Sequence, residues 1–359
     1  MAARVVHRAV CARVPNRALL AVTGTNTAQF LNGLVSTTVP WPPNGGFYST
    51  FLAANGKMLY DVFLWPFRDG TREGYLIDYD PRSTEDAPPL DAMLKKHVLR
   101  SRVKVQPLQD EYDVWTAWGG ELNEPTRSWR YGSQGAVEPI FEDKLAAWST
   151  QDDKRLRDLR AVGMGHRILT KKGEEPEETK SHDKGTEEDY TVHRILHGVP
   201  EGSVELVNSL PLNSNVDLMG GVDFRKGCYV GQELTVRTYY TGVVRRRIYP
   251  VQLYPENQSP REPETTDASI PPFSKPISIT LTNVKNDGKP ERGTRPKLLT
   301  SIRGVGLAAL RSAQLGALDK GELEMRVNSD SGDTFRVRHW VPSWWPQQAI
   351  VLDDGGVTA

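Results

Sequence analysis

The residues best suited to chemistry stand together in Lys226-Gly227-Cys228-Tyr229-Val230-Gly231-Gln232-Glu233, which carries one of the two cysteines in 359 residues. Flanking glycines permit positive φ and close approach of another chain or a ligand. A lysine beside a thiol favours the thiolate, the form that attacks and binds metal. The segment from Gln232 to Arg237 can open a helix, with Glu233 and Arg237 four apart on one face. Cys228 would then lie near a helix N-terminus, whose partial positive charge also favours a thiolate. The plain alternative is that Cys228 is a small buried hydrophobe, as free cysteines commonly are. Its neighbours argue against that: glycines, a lysine, a glutamine and a glutamate do not make a core segment.

Metal chemistry here is incomplete. Cys228 and Cys11 do not supply the four ligands in close pairs that a zinc site needs, and they exclude a disulfide scaffold. An iron–sulfur cluster normally takes four thiolates or equivalents. If Cys228 binds iron, the other ligands come from another protein or a small thiol. A nucleophilic role would need an oriented base. No sequence neighbour provides one, and His193 or His197 would have to be brought close by the fold.

The elements that must position this loop are mixed. Ala18–Val22 reads as a strand closed by Thr23-Gly24, with Thr25 or Asn26 capping a helix marked by Phe30, Leu31, Leu34 and Val35. Asn55-Gly56 predicts a hairpin between 47–52 and 58–65. Asp61 falls inside the second apolar run, where an unpaired carboxylate is expensive; it is either structural or lines a cavity. Strand 75–79, helix 90–99 and strands at 103–105 and 114–118 follow, in strand–helix–strand units that suggest mixed layers. Arg245, Arg246 and Arg247 read as a basic surface strand rather than a nucleic-acid site. From 248 onwards, short strands with polar turns read as a small β-barrel or sandwich. Pro342 to Pro346, with Trp344 and Trp345, would close a core. Polar stretches 119–139, 170–189 and 255–276 read as mobile insertions.

Charges balance at 45 basic and 45 acidic residues, so no whole-chain field points to nucleic acid. No apolar run reaches the length of a membrane span, and no membrane partner is expected. Arg4, Arg8, Arg13 and Arg17 precede the first acid, Asp61. This start is like a matrix-targeting transit peptide, although domain-like sequence begins by Arg13.

Leu210-Pro211-Leu212-Asn213, then Gly221 to Glu233 with cysteine third in the octapeptide, resembles the signature of the YgfZ/GcvT-like folate-binding family. It is most similar to that family's mitochondrial iron–sulfur cluster assembly branch. Phe30-Leu31-Asn32-Gly33-Leu34 and Arg194 with Gly198-Val199-Pro200 resemble further family runs. The resemblance implies an α+β fold of three domains around a central opening, with a C-terminal β-barrel. The expected division is 1–46 with 155–243, then 47–154, then 244–359. It also implies a matrix assembly factor for [4Fe-4S] proteins, not an enzyme. Its partner would be an A-type carrier, with a transient cluster shared through Cys228. Lys226, Gly227, Cys228, Tyr229, Gly231, Gln232, Glu233 and Arg237 are the expected functional set, with Gly227 and Gly231 admitting the partner's backbone. The alternative is a folate-binding protein or a folate-dependent aminomethyltransferase, with tetrahydrofolate near Asp61 and Tyr60. The transferase pattern Gly-Gly-x-Leu-Asp-Asp appears here as Gly56-Lys57-Met58-Leu59-Tyr60-Asp61. Tyr60 in place of an acid, His197 in place of a glutamate, and the cysteine itself all count against transfer.

Overall fold

The structure is a computed structural model that describes residues 3–4, 8–108, 110–120, 124–263, 265–284, 289–291 and 295–350. Parts of the targeting-like start (residues 1–2 and 5–7) therefore lie outside the described residues.

The Asn55-Gly56 hairpin forms where the dipeptide predicts it. Phe47–Leu52 pairs with Met58–Asp69, and Gly56 adopts φ 81° in the turn. Arg72–Tyr79, Ala18–Thr23 and Lys104–Pro107 complete an antiparallel five-stranded sheet in that order, with Lys104–Pro107 at its edge. Met58 to Pro66 is buried throughout rather than on alternate residues. Both faces of this strand are therefore covered, and Asp61 has no aqueous side.

A second five-stranded sheet runs Arg155–Arg157, His166–Lys171, Tyr112–Trp118, Val10–Arg13 and Asp183–Lys184, the last pairing parallel. Each of these sheets draws strands from both sides of residue 46, so strand pairing crosses the expected first boundary. The targeting-like start is built in from Val10: Cys11 is fully buried beside Trp115, Ala117 and Ile168. Two stretches expected as mobile insertions also contribute to the fold. Ser128–Tyr131 pairs with Val137–Ile140. Thr186 and Asp189 form a capping box on the helix Glu187–Leu196, where Asp189 also meets Arg303 at 2.7 Å. Charge density was read as solvation, but these charges are paired.

The C-terminal region curls an eight-stranded antiparallel sheet centred on Arg246–Pro255 and Val305–Arg311. Its core holds Tyr249, Val251, Leu253, Leu310 and Trp345. Trp344 donates from its indole nitrogen to the carbonyl of His197 at 3.0 Å, so the Pro342–Pro346 segment closes a core as expected. The basic-strand reading needs one correction. Arg247 is fully buried and forms a two-pronged ion pair with Asp217 at 2.6 and 2.8 Å. Arg245, which alternation would place on the same face, lies ahead of the strand Arg246–Pro255 and is exposed.

Candidate functional site

The signature forms a loop leading into the helix Gln232–Thr241. Most of its conspicuous residues turn out to hold that loop in place. The Lys226 ammonium donates to three backbone carbonyls, those of Asn32 (2.9 Å), Val35 (2.7 Å) and Thr37 (2.9 Å). Helix Thr27–Asn32 and the turn after it thus converge on a single cation, meeting the orphan carbonyls of a helix end. Burial draws the Lys226 ammonium down to about 8, with nearby Asp223 opposing the shift. The donors of Lys226 are directed to the chain that precedes the hairpin.

The neighbouring residues reinforce this seat. Val230 N–H donates to Gly33 at 3.1 Å, and Asp223 N–H to Ser36 at 2.9 Å. The Asp223 carboxylate accepts from the Thr38 hydroxyl at 2.6 Å. Tyr229 is buried, with its ring 5.0 Å from the Lys226 ammonium, and its N–H donates to Gln232 Oε1 at 3.2 Å. Gly231 caps the helix at φ 79°, and a side chain there would put Cβ 2.3 Å from the Ala53 carbonyl and 2.8 Å from Leu52 Cβ. Gly231 therefore admits the protein's own hairpin, not a partner's backbone. The hairpin turn reciprocates, since a Cβ on Gly56 would lie 3.2 Å from the Gly231 carbonyl. Glu233 and Arg237 are both exposed, and no ion pair joins them among the described residues. The helix is set by Gly231 and the hairpin rather than by that pair.

Cys228 stays out of this packing. It is an exposed free thiol, three residues before the helix cap. At Gly227 an added Cβ would meet nothing within 4 Å. The result is a sulfur on a fixed loop with open space beside it. Cys11 cannot join it, because burial raises the Cys11 thiol to about 12 and keeps it a thiol. Among the described residues, no group of three or more His, Cys, Asp or Glu is placed to hold a metal ion. A soft-metal cargo met by Cys228 would need its remaining ligands from elsewhere. His193 and His197 pack on one another. Their rings stand 4.5 Å apart, and His193 stacks on Trp118 at 4.6 Å.

Asp61 and Tyr60 point to opposite faces of their strand, as successive residues must. Tyr60 donates to the Pro88 carbonyl at 2.6 Å. Asp61 accepts from the Gly202 N–H at 3.0 Å and meets Arg17 at 3.4 Å. Burial pushes the Asp61 carboxyl up, against the pull of Arg17.

Asp61 belongs to a buried ionic network that sequence reasoning missed. Asp78 accepts from Arg17 at 2.5 Å and from Arg167 at 2.8 Å. Glu201 accepts from Arg160 (2.7 Å), Arg167 (3.2 Å) and the Tyr190 hydroxyl (2.7 Å). Phe63 lies 4.8 and 4.3 Å from the guanidinium carbons of Arg160 and Arg167. The network joins the two five-stranded sheets. Burial alone would raise the Glu201 carboxyl, but Arg167, Arg160 and Arg17 hold it well below the usual range. A signal was available, since Asp61 and Asp78 each interrupt an apolar strand and buried acids demand partners.

Comparison with known proteins agrees with this architecture. Residues 245–347 match the family model of the CAF17 C-terminal beta-barrel domain. The chain is 38% identical over 317 residues to a mitochondrial iron–sulfur cluster assembly factor IBA57 homolog of Cryptococcus neoformans, covering 84% of this chain and 83% of the relative. It is 35% identical to the homolog of the same name from Mycosarcoma maydis (96% and 86% covered) and 33% to that of Coccidioides immitis (92% and 82%). The fold is similar to the crystal structure of glycine cleavage system aminomethyltransferase T from Bartonella henselae. The TM-score is 0.56 at 13% identity, with 93% of this chain and 86% of the other covered.

Proposed function

The chain belongs to the IBA57 family of mitochondrial iron–sulfur cluster assembly factors, and from that membership we propose that it assists maturation of mitochondrial [4Fe-4S] proteins in the matrix. It does so as a non-catalytic factor that works with other proteins of the pathway. Its immediate partner is an A-type carrier, and Cys228 is a transient ligand to the cluster being handed on. The cluster is cargo. One thiolate from this chain and the rest from the carrier complete a four-ligand set.

The observation that carries this reading is the contrast inside the signature. Lys226, Tyr229, Gly231 and Gln232 hold the loop against the first helix and the hairpin turn. Cys228 is exposed, beside the open space at Gly227. A loop fixed this firmly presents its sulfur at a defined position, which suits a ligand that must meet a partner's geometry. Folate-dependent transfer has less support, because Asp61 and Tyr60 face opposite ways and both are bonded within the protein. The test is reconstitution of an apo [4Fe-4S] protein from a loaded A-type carrier under anaerobic conditions. The wild-type chain should accelerate recovery of the target's activity, and Cys228→Ser should lose most of that effect. Equal recovery with and without the chain would refute the assembly role. Full acceleration by Cys228→Ser would refute the role of the thiol.

A further inference from the structure

Between Asp91 and Asp110 the chain has no acidic residue, while Lys95, Lys96, Arg100, Arg102 and Lys104 all fall there. Lys95 is paired with Asp91 at 2.9 Å. Lys96, Arg100, Arg102 and Lys104 are exposed, and none has an ion-pair partner among the described residues. Cations in the last turn of helix Leu90–Val98 suit its dipole. That explains Lys95, Lys96 and His97, but not the three beyond the helix.

At the centre of this run stands Leu99. It is 88% exposed and takes φ 40°, ψ −109° immediately after the helix. This pair lies outside the left-handed helical region, and a residue other than glycine rarely adopts it. Leucine is strained there, and its side chain gains no burial within this protein. With Asn26, Gln29, Phe30, His97, Arg100 and Ser101 it lines a cleft of about 770 Å³. Amides, a hydroxyl and a guanidinium gather on its wall, next to one buried aromatic ring.

We infer that Leu99 and the surrounding cations form a peripheral docking surface for anionic phospholipid. Leu99 enters the acyl boundary, while Arg100, Ser101 and the amides of Asn26 and Gln29 receive a headgroup phosphate. Lys96, Arg102 and Lys104 face the negative surface potential. Clusters of four or more basic residues beside an inserted apolar side chain are the recognised pattern of such contacts. The observations favour a lipid surface over an acidic polypeptide, because Leu99 stays 88% exposed at the cleft's edge, free to enter an apolar layer, and the charge around it is of one sign. This contact is peripheral, since no helix among the described residues is long and apolar enough to cross a membrane. The cleft's wall is helix Thr27–Asn32, whose last carbonyl accepts from Lys226. The docking surface is thus one short helix away from the signature loop.

The test is sedimentation of the purified chain with vesicles of pure phosphatidylcholine or of phosphatidylcholine with about 30% phosphatidylglycerol. Partitioning should occur on the anionic vesicles at low salt and fall steeply as NaCl rises, with inorganic phosphate competing only weakly. Leu99→Asn should reduce partitioning by about tenfold or more, from the lost insertion of one leucine. The same variant should melt close to wild type, because the Leu99 side chain is 88% exposed. Lys96→Glu with Arg100→Glu should abolish partitioning, circular dichroism confirming the fold. Equal partitioning of wild type on neutral and anionic vesicles would overturn the proposal. So would unchanged partitioning of Leu99→Asn, or complete competition by millimolar phosphate, which would indicate a soluble-anion site.

Discussion

Replacing Lys226 with methionine separates two roles that the sequence cannot distinguish. If the lysine serves the thiol, the substitution should slow Cys228 chemistry. If it anchors the loop, the substitution should loosen the fold and leave the thiol's own rate alone. The three carbonyls that accept from the Lys226 ammonium lie 2.7–2.9 Å away. Hydrogen bonds to a charged group contribute about 1.5–3 kcal/mol each before the cost of burying the charge. That cost, several kcal/mol for an ion, offsets much of the sum. Methionine keeps the volume but orphans the carbonyls, so a net loss of about 2–4 kcal/mol is expected. For a chain of 359 residues that is a fall of roughly 3–5 °C in melting temperature. Linkage adds a signature. Burial lowers the folded ammonium from 10.5 to about 8, so both states are protonated below that value. Between about 8 and 10.5 the unfolded chain binds more protons, and wild type should gain stability on the variant as pH rises. Thermal melts against pH read the stability. Iodoacetamide alkylation reads the thiol cleanly, because Cys11 is buried. A variant that melts like wild type but alkylates about tenfold more slowly would refute the anchoring role and restore the lysine to the thiol.

Gly231→Ala should destabilise by about 2–5 kcal/mol, from left-handed backbone strain and the clash with Ala53 and Leu52. A melting temperature within a degree of wild type would show that the hairpin does not seat the loop. Glu201→Gln should cost about 3–5 kcal/mol at neutral pH, because Arg160 and Arg167 lose their shared carboxylate. The Glu201 carboxyl is held well below its ordinary 4.5, so its contribution is full above that value and fades as pH falls. The gap between wild type and Glu201→Gln should therefore narrow below pH 4.5, and urea denaturation at pH 7 and pH 3 checks this.

Much of the fold was legible in the sequence where local chemistry was decisive. Asn55-Gly56 marks a hairpin, and the late short strands read as a barrel; the helix expected from Phe30, Leu31, Leu34 and Val35 forms but stops at Asn32, and Val35 instead bridges to Phe51. The signature octapeptide was legible as a special loop. The division of labour within it was not, because it depends on contacts far along the chain. Lys226 meets carbonyls at 32–37, and Gly231 meets residues 52 and 53. The same distance hid the buried network. Arg160, Arg167 and Glu201 look like surface charges until the fold brings Arg167 onto Asp78, and Glu201 onto Arg160 and Arg167. Charge runs were read as solvated at 170–189, yet the capping box at Thr186 and the Asp189–Arg303 pair tie that stretch down.

The most direct test of the central claim is native mass spectrometry of the anaerobic mixture with a [2Fe-2S]-loaded A-type carrier, alongside the visible cluster spectrum. The account predicts a complex of both proteins carrying the cluster with wild type. With Cys228→Ser it predicts loss of the cluster from that complex, at an unchanged melting temperature. A cluster-bearing complex of equal abundance and spectrum with Cys228→Ser would contradict it.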